Sequence, residues 1–282
     1  MPDEVSKARW LVAQEQEKRA IELSTTDMVE HLRAHQRIAV RFLDSLKHEI
    51  ALTGDKRVLE IGGGPTCIFL ALREGIRYAV DPTYQQLFDL YPVLREIDEY
   101  KDVTFLSSSI EEAPLRGSFD LIFMLNVLDH VGNLKPVADK IGQLLAPSGK
   151  LVVVVDCYAD PVVKGILTFF DIDLPHPHHF VTEDITRLFS NYRLIREDNR
   201  IFEIFYDSDT AEKQIGMSFY RVDKLLAKIK YHLQGWYEKG GILFIIKFLA
   251  CYSCALMTAS LRMRERPVHP FKKLRLFIFQ KP

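Results

Sequence analysis

Between Arg57 and Asp156, short apolar runs alternate with segments of helical spacing, and few folds accept that rhythm. RVLEI precedes CIFLALRE, RYAVD precedes YQQLFDLYPVLREI, VTFL stands alone, FDLIFML precedes VADKIGQLL, and LVVVVD closes the series. Strands apolar at consecutive positions are buried on both faces, as in the middle of a parallel sheet covered by helices. The expectation is an α/β fold: a doubly wound, mostly parallel seven-stranded sheet with helices on both faces. In such sheets ligands bind at the carboxyl ends of the strands. Thr182 to Ser190 predicts a further helix, Tyr192 to Arg196 a strand, and the closing LRLFIFQKP the seventh strand.

The flanking segments are different. Met28, Leu32, Ala39, Phe42, Leu43, Leu46 and Ile50 follow helical spacing, so residues 1–52 are expected to form a helical cap. The sheet domain is then 53–208 plus 271–282, with a helical insertion at 209–270. From Ala211 to Pro282 there are 14 Lys and Arg against 4 Asp and Glu, while the rest of the chain has 23 against 34. The overall charge of −1 conceals this positive tail on a negative body, which bears on partners rather than on fold. A hydrophobic content of 48% over 282 residues argues against disorder. The polar start, MPDEVSKARW, predicts no secretory signal and hence a cytoplasmic protein. Four cysteines suggest no disulfide framework, and Cys251 and Cys254 lack a second ligand pair, so no metal is expected.

Three successive glycines follow the first strand, in RVLEIGGGPTC. Glycine accepts positive φ and removes the side chain that would keep a ligand from the backbone. The turn is expected to open a helix, as a dinucleotide-binding turn does, but Gly62-x-Gly64-x-x-Cys67 lacks that fingerprint's third glycine. No basic residue lies between Glu60 and Arg73, which suits a ligand without phosphates. Asp81 ends the second strand, 21 residues after Glu60, where a carboxylate can accept hydrogen bonds from both hydroxyls of a ribose. It could equally cap the helix after Pro82.

In order and spacing, VLEIGGG, AVDP, FDLIFMLNVLDHV and LLAPSGKLVVVV resemble the motifs of class I S-adenosylmethionine-dependent methyltransferases. The resemblance covers Arg57 to Asp156 closely and Arg33 to Asn199 more loosely, and extends to bacterial enzymes with GGGPT, VDP and NVLDHV motifs. It implies S-adenosyl-L-methionine as cofactor, held by Glu60, Gly62, Gly63, Gly64, Asp81, Pro82, Ser109, Ile110 and Asn126. Glu60 would orient the glycine turn or meet the donor's ammonium group, and Asn126 would lie near the reacting methyl. The sequence departs from the family at Thr66, where a third glycine is usual, and at Ser109, where an Asp near the adenine is commoner.

Methyl transfer is an in-line displacement that sometimes needs a base on the acceptor. The long loop expected from Cys157 to Val181 contains LPHPHHF. His178 and His179, with His130 behind them, are the candidate catalytic residues; the plainer reading is that they satisfy loop carbonyls. His31, Arg33, His35 and Arg37 are expected on helices that lid the cleft.

In the insertion, Phe219, Val222, Leu226, Ile229 and Leu233 form a stripe beside basic residues, and ILFIIKFLACYSCALMTASL follows. A basic amphipathic helix beside an apolar segment suits an anionic membrane surface, here through 211–273 on the inner face of the cytoplasmic membrane. Both ends of the insertion must lie on one side if the last residues form the seventh strand, and Lys247 opposes a full crossing. A spanning helix therefore requires Arg200 to Tyr206 to be that strand instead. Helices packed on the domain or on a second copy are the soluble alternative. The function expected is methylation of a small-molecule, lipid or lipid-linked saccharide acceptor. The alternatives are a catalytically silent cofactor-binding or membrane-tethered module, and a nicotinamide-dependent oxidoreductase. Nucleic acid is not expected as a partner, because the catalytic half is acidic and no Asn-Pro-Pro-Tyr-type motif follows the fourth strand.

Overall fold

A computed structural model describes residues 5–24, 28–51, 53–158, 160–170, 176–205, 241–247, 249–250 and 272–282. The amphipathic stripe at 219–233 and most of the apolar run at 242–261 lie outside the described residues.

Seven strands form one sheet: β1 Arg57–Ile61, β2 Ile76–Val80, β3 Val103–Leu106, β4 Phe119–Leu125, β5 Leu145–Tyr158, β6 Arg193–Asp198 and β7 Lys272–Gln280. Their spatial order is β3-β2-β1-β4-β5-β7-β6. The first five pair in parallel, and β7 runs antiparallel to both β5 and β6. The chain order reverses between β1 and β4, so a crevice opens at the carboxyl ends of these strands.

The consecutive apolar runs are explained by two cores, one on each face. Phe123, Val152, Val154, Leu276 and Ile278 point to one, while Ile122, Met124, Val153, Val155, Phe277 and Phe279 point to the other. The strand period of two sends neighbours to opposite faces, and both faces are dry. Helix α2, Met28–Leu46, lays Leu32, Ala39, Phe42 and Leu46 on the first face, preceded by α1, Lys7–Ser24. The second face is covered by α4, Leu134–Leu144, through Val137 and Ile141, and by α6, Thr182–Leu188, through Ile185.

Three expectations are corrected. The glycine turn does not open an α-helix: two 3-10 turns follow, Gly64–Thr66 and Ile68–Leu70. Side chains take the backbone groups that a helix would have paired. Glu60 accepts the Ile68 N–H at 2.7 Å, Tyr100 donates to the Pro65 carbonyl at 3.0 Å, and Gln36 donates to the Leu70 carbonyl at 2.9 Å. The helix expected over YQQLFDLYPVLREI stops early as α3, Tyr84–Leu90, because Pro92 cannot continue it. The loop after β5 holds a helix, α5, Pro161–Phe170. The disfavoured alternative, a seventh strand starting at Arg200, is not met: Ile201–Phe205 forms the short helix α7, whose Phe205 ring lies 5.4 Å from Phe42. With β7 supplied by Lys272–Gln280, the condition for a spanning helix is not met. Among the described residues, no helix is long and apolar enough to cross a membrane.

Candidate active site

A cleft of about 470 Å³ opens where β1, β2 and β4 end, within the range of small-molecule and cofactor sites. Glu60, Gly62, Gly63, Gly64, Asp81, Pro82, Ser109, Ile110 and Asn126 all line it, as does His130.

The glycine turn is shaped by two different demands. Gly62 has φ +73°, and a Cβ there would stand 2.0 Å from Val127 Cγ2, so this glycine lets β1 approach the loop after β4. Gly64 has φ +52°, and a Cβ there would meet nothing within 4 Å. Its missing side chain therefore faces open cleft. Asp81 braces the turn from β2: one oxygen accepts the Gly64 N–H at 3.0 Å, and the other accepts the Thr83 N–H at 2.8 Å and its hydroxyl at 2.5 Å. Asp81 is thus a turn brace that also lines the cleft. Glu60 is buried beneath the turn, and burial is the main reason that its carboxyl is raised to about 8. Asn126 ends β4 at φ +56°, a conformation Asn tolerates better than most residues, and its N–H is held by the Val154 carbonyl at 2.7 Å. Backbone held in a sparsely populated region tends to mark a functional position.

The remaining walls come from elements that no motif marked. Trp10 and Gln14 of α1, Phe205 of α7 and Leu274 of β7 line the cleft, with His31 and His35 of α2. The Trp10 indole donates to the His130 carbonyl at 3.1 Å, and the Val5 N–H donates to Gly132, so the start of the chain is tied to the loop after β4. His31 and His35 stand 4.4 Å apart between ring centres. Burial lowers both, His35 to about 4 with His31 adding to the effect, so this pair is neutral near pH 7. Arg33 and Arg37 of the same helix are exposed and do not line the cleft.

A methyltransferase-domain family model matches residues 31–210. The chain belongs to the methyltransferase domain family. It is a class I S-adenosylmethionine-dependent methyltransferase, with S-adenosyl-L-methionine as cofactor. Solved structures share the fold at low identity. YcgJ from Bacillus subtilis superposes with a TM-score of 0.53 at 17% identity, over 85% of this chain and 97% of its own. Phosphoethanolamine N-methyltransferase 2 of Haemonchus contortus, in complex with S-adenosyl-L-methionine, gives 0.57 at 16%, over 93% of this chain and 59% of its own. The [4+2]-cyclase SpnF gives 0.52 at 14%, over 86% of this chain and 80% of its own, so the fold by itself does not dictate the reaction. No curated protein matches in sequence.

The residues present fit the methyltransferase cofactor. The turn offers bare backbone at Gly64 and no cation, and Asp81 offers a carboxylate at the end of β2. The histidines divide. His130 lines the cleft, whereas His178 and His179 do not. The His178 ring donates from Nε2 to the Val131 carbonyl at 3.0 Å, and burial lowers it to about 4. That is the carbonyl-satisfying role of the plainer reading. His179 is buried beside Tyr158, with Nδ1 3.3 Å from the Thr168 hydroxyl. The motif reading missed Asp129 and His176. Both were visible in NVLDHV and LPHPHHF, but nothing local says that these segments meet.

Proposed function

We propose that this methyltransferase passes the methyl group of S-adenosylmethionine to a small-molecule, lipid or lipid-linked saccharide acceptor at the inner membrane surface. The observation that carries the reading is the convergence of every residue expected at the cofactor on a single cleft, which His130 also lines. When bound, the cofactor supplies an electrophilic methyl on a sulfonium. Glu60 holds the glycine turn in place through Ile68, Gly62 lets β1 approach the loop after β4, and Gly64 lets the ligand lie against main chain. Asp81 takes the ribose hydroxyls, Pro82, Ser109 and Ile110 border the adenine, and Asn126 sits towards the reacting end. His130 meets the acceptor from the cleft wall. Trp10, Ile38 and Phe42 give the cleft apolar walls that exclude water.

The membrane part rests on surface chemistry. Phe169 is 83% exposed, and Ile242, Leu243, Ile246 and Leu249 are exposed on the neighbouring helical residues 241–247 and 249–250. The two elements touch through Phe170 and Phe244, whose ring centres are 5.5 Å apart. Exposed apolar side chains grouped beside a basic segment suit an anionic lipid interface.

Comparing lipid and polysaccharide extracts from cells with and without the protein by mass spectrometry tests the reading. A species heavier by one methylene, present only with the protein, is expected. Unchanged extracts together with intact cofactor binding would favour the catalytically silent module.

A further inference from the structure

Asp129 closes NVLD at the end of β4, and His176 lies in the segment after α5, yet the fold sets them against each other beside His130. Asp129 is only 2% exposed. The His130 Nε2 lies 3.8 Å from Asp129 Oδ1, and the His176 Nε2 lies 3.8 Å from Asp129 Oδ2. The two imidazole rings are 4.6 Å apart between centres, and one ligand atom from each of the three residues falls within 4.8 Å of the others.

We propose that Asp129, His130 and His176 form a divalent transition-metal site, of the zinc or iron(II) class, at the acceptor end of the cleft. The donor set decides the class. Two neutral imidazoles and one carboxylate suit zinc and iron(II), whereas magnesium and calcium prefer all-oxygen sites. The distances fit coordination better than a proton relay. A hydrogen-bonded carboxylate–imidazole pair needs about 2.6–3.2 Å, and both separations here exceed it. Ligands at about 2.0–2.1 Å from a tetrahedral ion stand about 3.3 Å apart, so small side-chain movements close the site.

Both ligand-bearing segments are fixed from behind. The His178 N–H donates to the Asp129 carbonyl at 3.2 Å, while its ring is bound to the Val131 carbonyl. The Tyr158 N–H donates to Phe180 at 2.7 Å, and Trp10 holds the His130 carbonyl. His178 is thereby a positioning residue, two residues after the ligand His176. Three protein ligands leave coordination positions open, as in catalytic rather than structural sites. His130 lines the cleft, so an acceptor oxygen or nitrogen could take one of them. The role in methyl transfer rests on the proposed function; the ion's binding does not.

The test uses the full chain, stripped with a chelator and titrated with zinc against a chromophoric competitor, then with cobalt(II) followed by visible absorption. One equivalent of zinc and the intense bands of low-coordinate cobalt(II) are expected. His176→Gln and Asp129→Asn should each weaken zinc by more than about tenfold, while S-adenosylmethionine binding, read separately by calorimetry, stays as in the wild type. Melting curves confirm that each variant folds. No stoichiometric binding, or binding that survives both substitutions in folded protein, overturns the site. Loss of cofactor binding in the wild type would instead count against the methyltransferase reading.

Discussion

Gly62 and Gly64 are two positions apart, and both have positive φ, but a methyl group added at each meets a different neighbourhood. At Gly62 it collides with Val127, so Gly62→Ala should cost about 2–4 kcal/mol from strain plus overpacking, read as a lower urea midpoint. At Gly64 it enters open cleft, so Gly64→Ala should cost only about 1–2 kcal/mol while weakening S-adenosylmethionine by tenfold or more in calorimetry. Equal stability losses with unchanged cofactor affinity would remove the division of labour. Glu60 sets a pH dependence of its own. Its carboxyl rises from an ordinary 4.5 to about 8, so the folded chain holds more protons than the unfolded chain between those values. Stability from this group is complete below about 4.5 and falls as pH rises through 8. His35 and His178, lowered by burial to about 4, act in the opposite sense and lose stability as pH falls from 6.5 towards 4. Glu60→Gln should therefore flatten the alkaline side of a melting-temperature profile and leave the acidic side unchanged. At this scale the residues that line the cleft were legible because strand-end carboxylates and glycines keep fixed spacing along the chain. Asp129 and His176 were not, because their meeting depends on how the segment at 176–180 returns to β4.

The elements that the sequence made legible are those whose apolar runs are buried on both faces. β1, β2 and β4 follow their runs closely, β5 begins six residues before its run, and the expected closing strand is β7, which pairs between β5 and β6. Periodicity failed where side chains outbid the backbone ladder, as after Gly64. The short apolar segment Ile201–Phe205 fits both periods, and it folds as a helix whose Phe205 packs on Phe42. Helix α5 was hidden in an expected loop between two segments rich in turn residues. Phe277, at the centre of β7, and Phe169, near the end of α5, give a contrast between burial and exposure. Phe277→Ala should cost about 3–5 kcal/mol, since the ring is fully enclosed. Phe169→Ala should change stability by no more than about 0.5 kcal/mol yet weaken attachment to anionic vesicles. Vesicle binding that ignores Phe169 would place the lipid contact elsewhere.

For the whole molecule, residues 1–210 and the basic residues 211–282 carry opposite net charge. The polarity predicts that co-sedimentation with anionic liposomes falls as salt is raised towards 0.5 M, where the Debye length is shorter than about 5 Å. Neutral vesicles should bind less than anionic ones, and an absence of binding to either would leave the acceptor as a soluble small molecule. The account as a whole depends on the cleft at the ends of β1, β2 and β4 being the place of S-adenosylmethionine. Titration calorimetry of the full chain with S-adenosylmethionine and with its demethylated product tests that most directly, alongside Asp81→Ala. One-to-one binding of both ligands, weakened by tenfold or more in the variant, is the predicted result. Absence of binding to either ligand, or affinities that Asp81→Ala leaves unchanged, would contradict it.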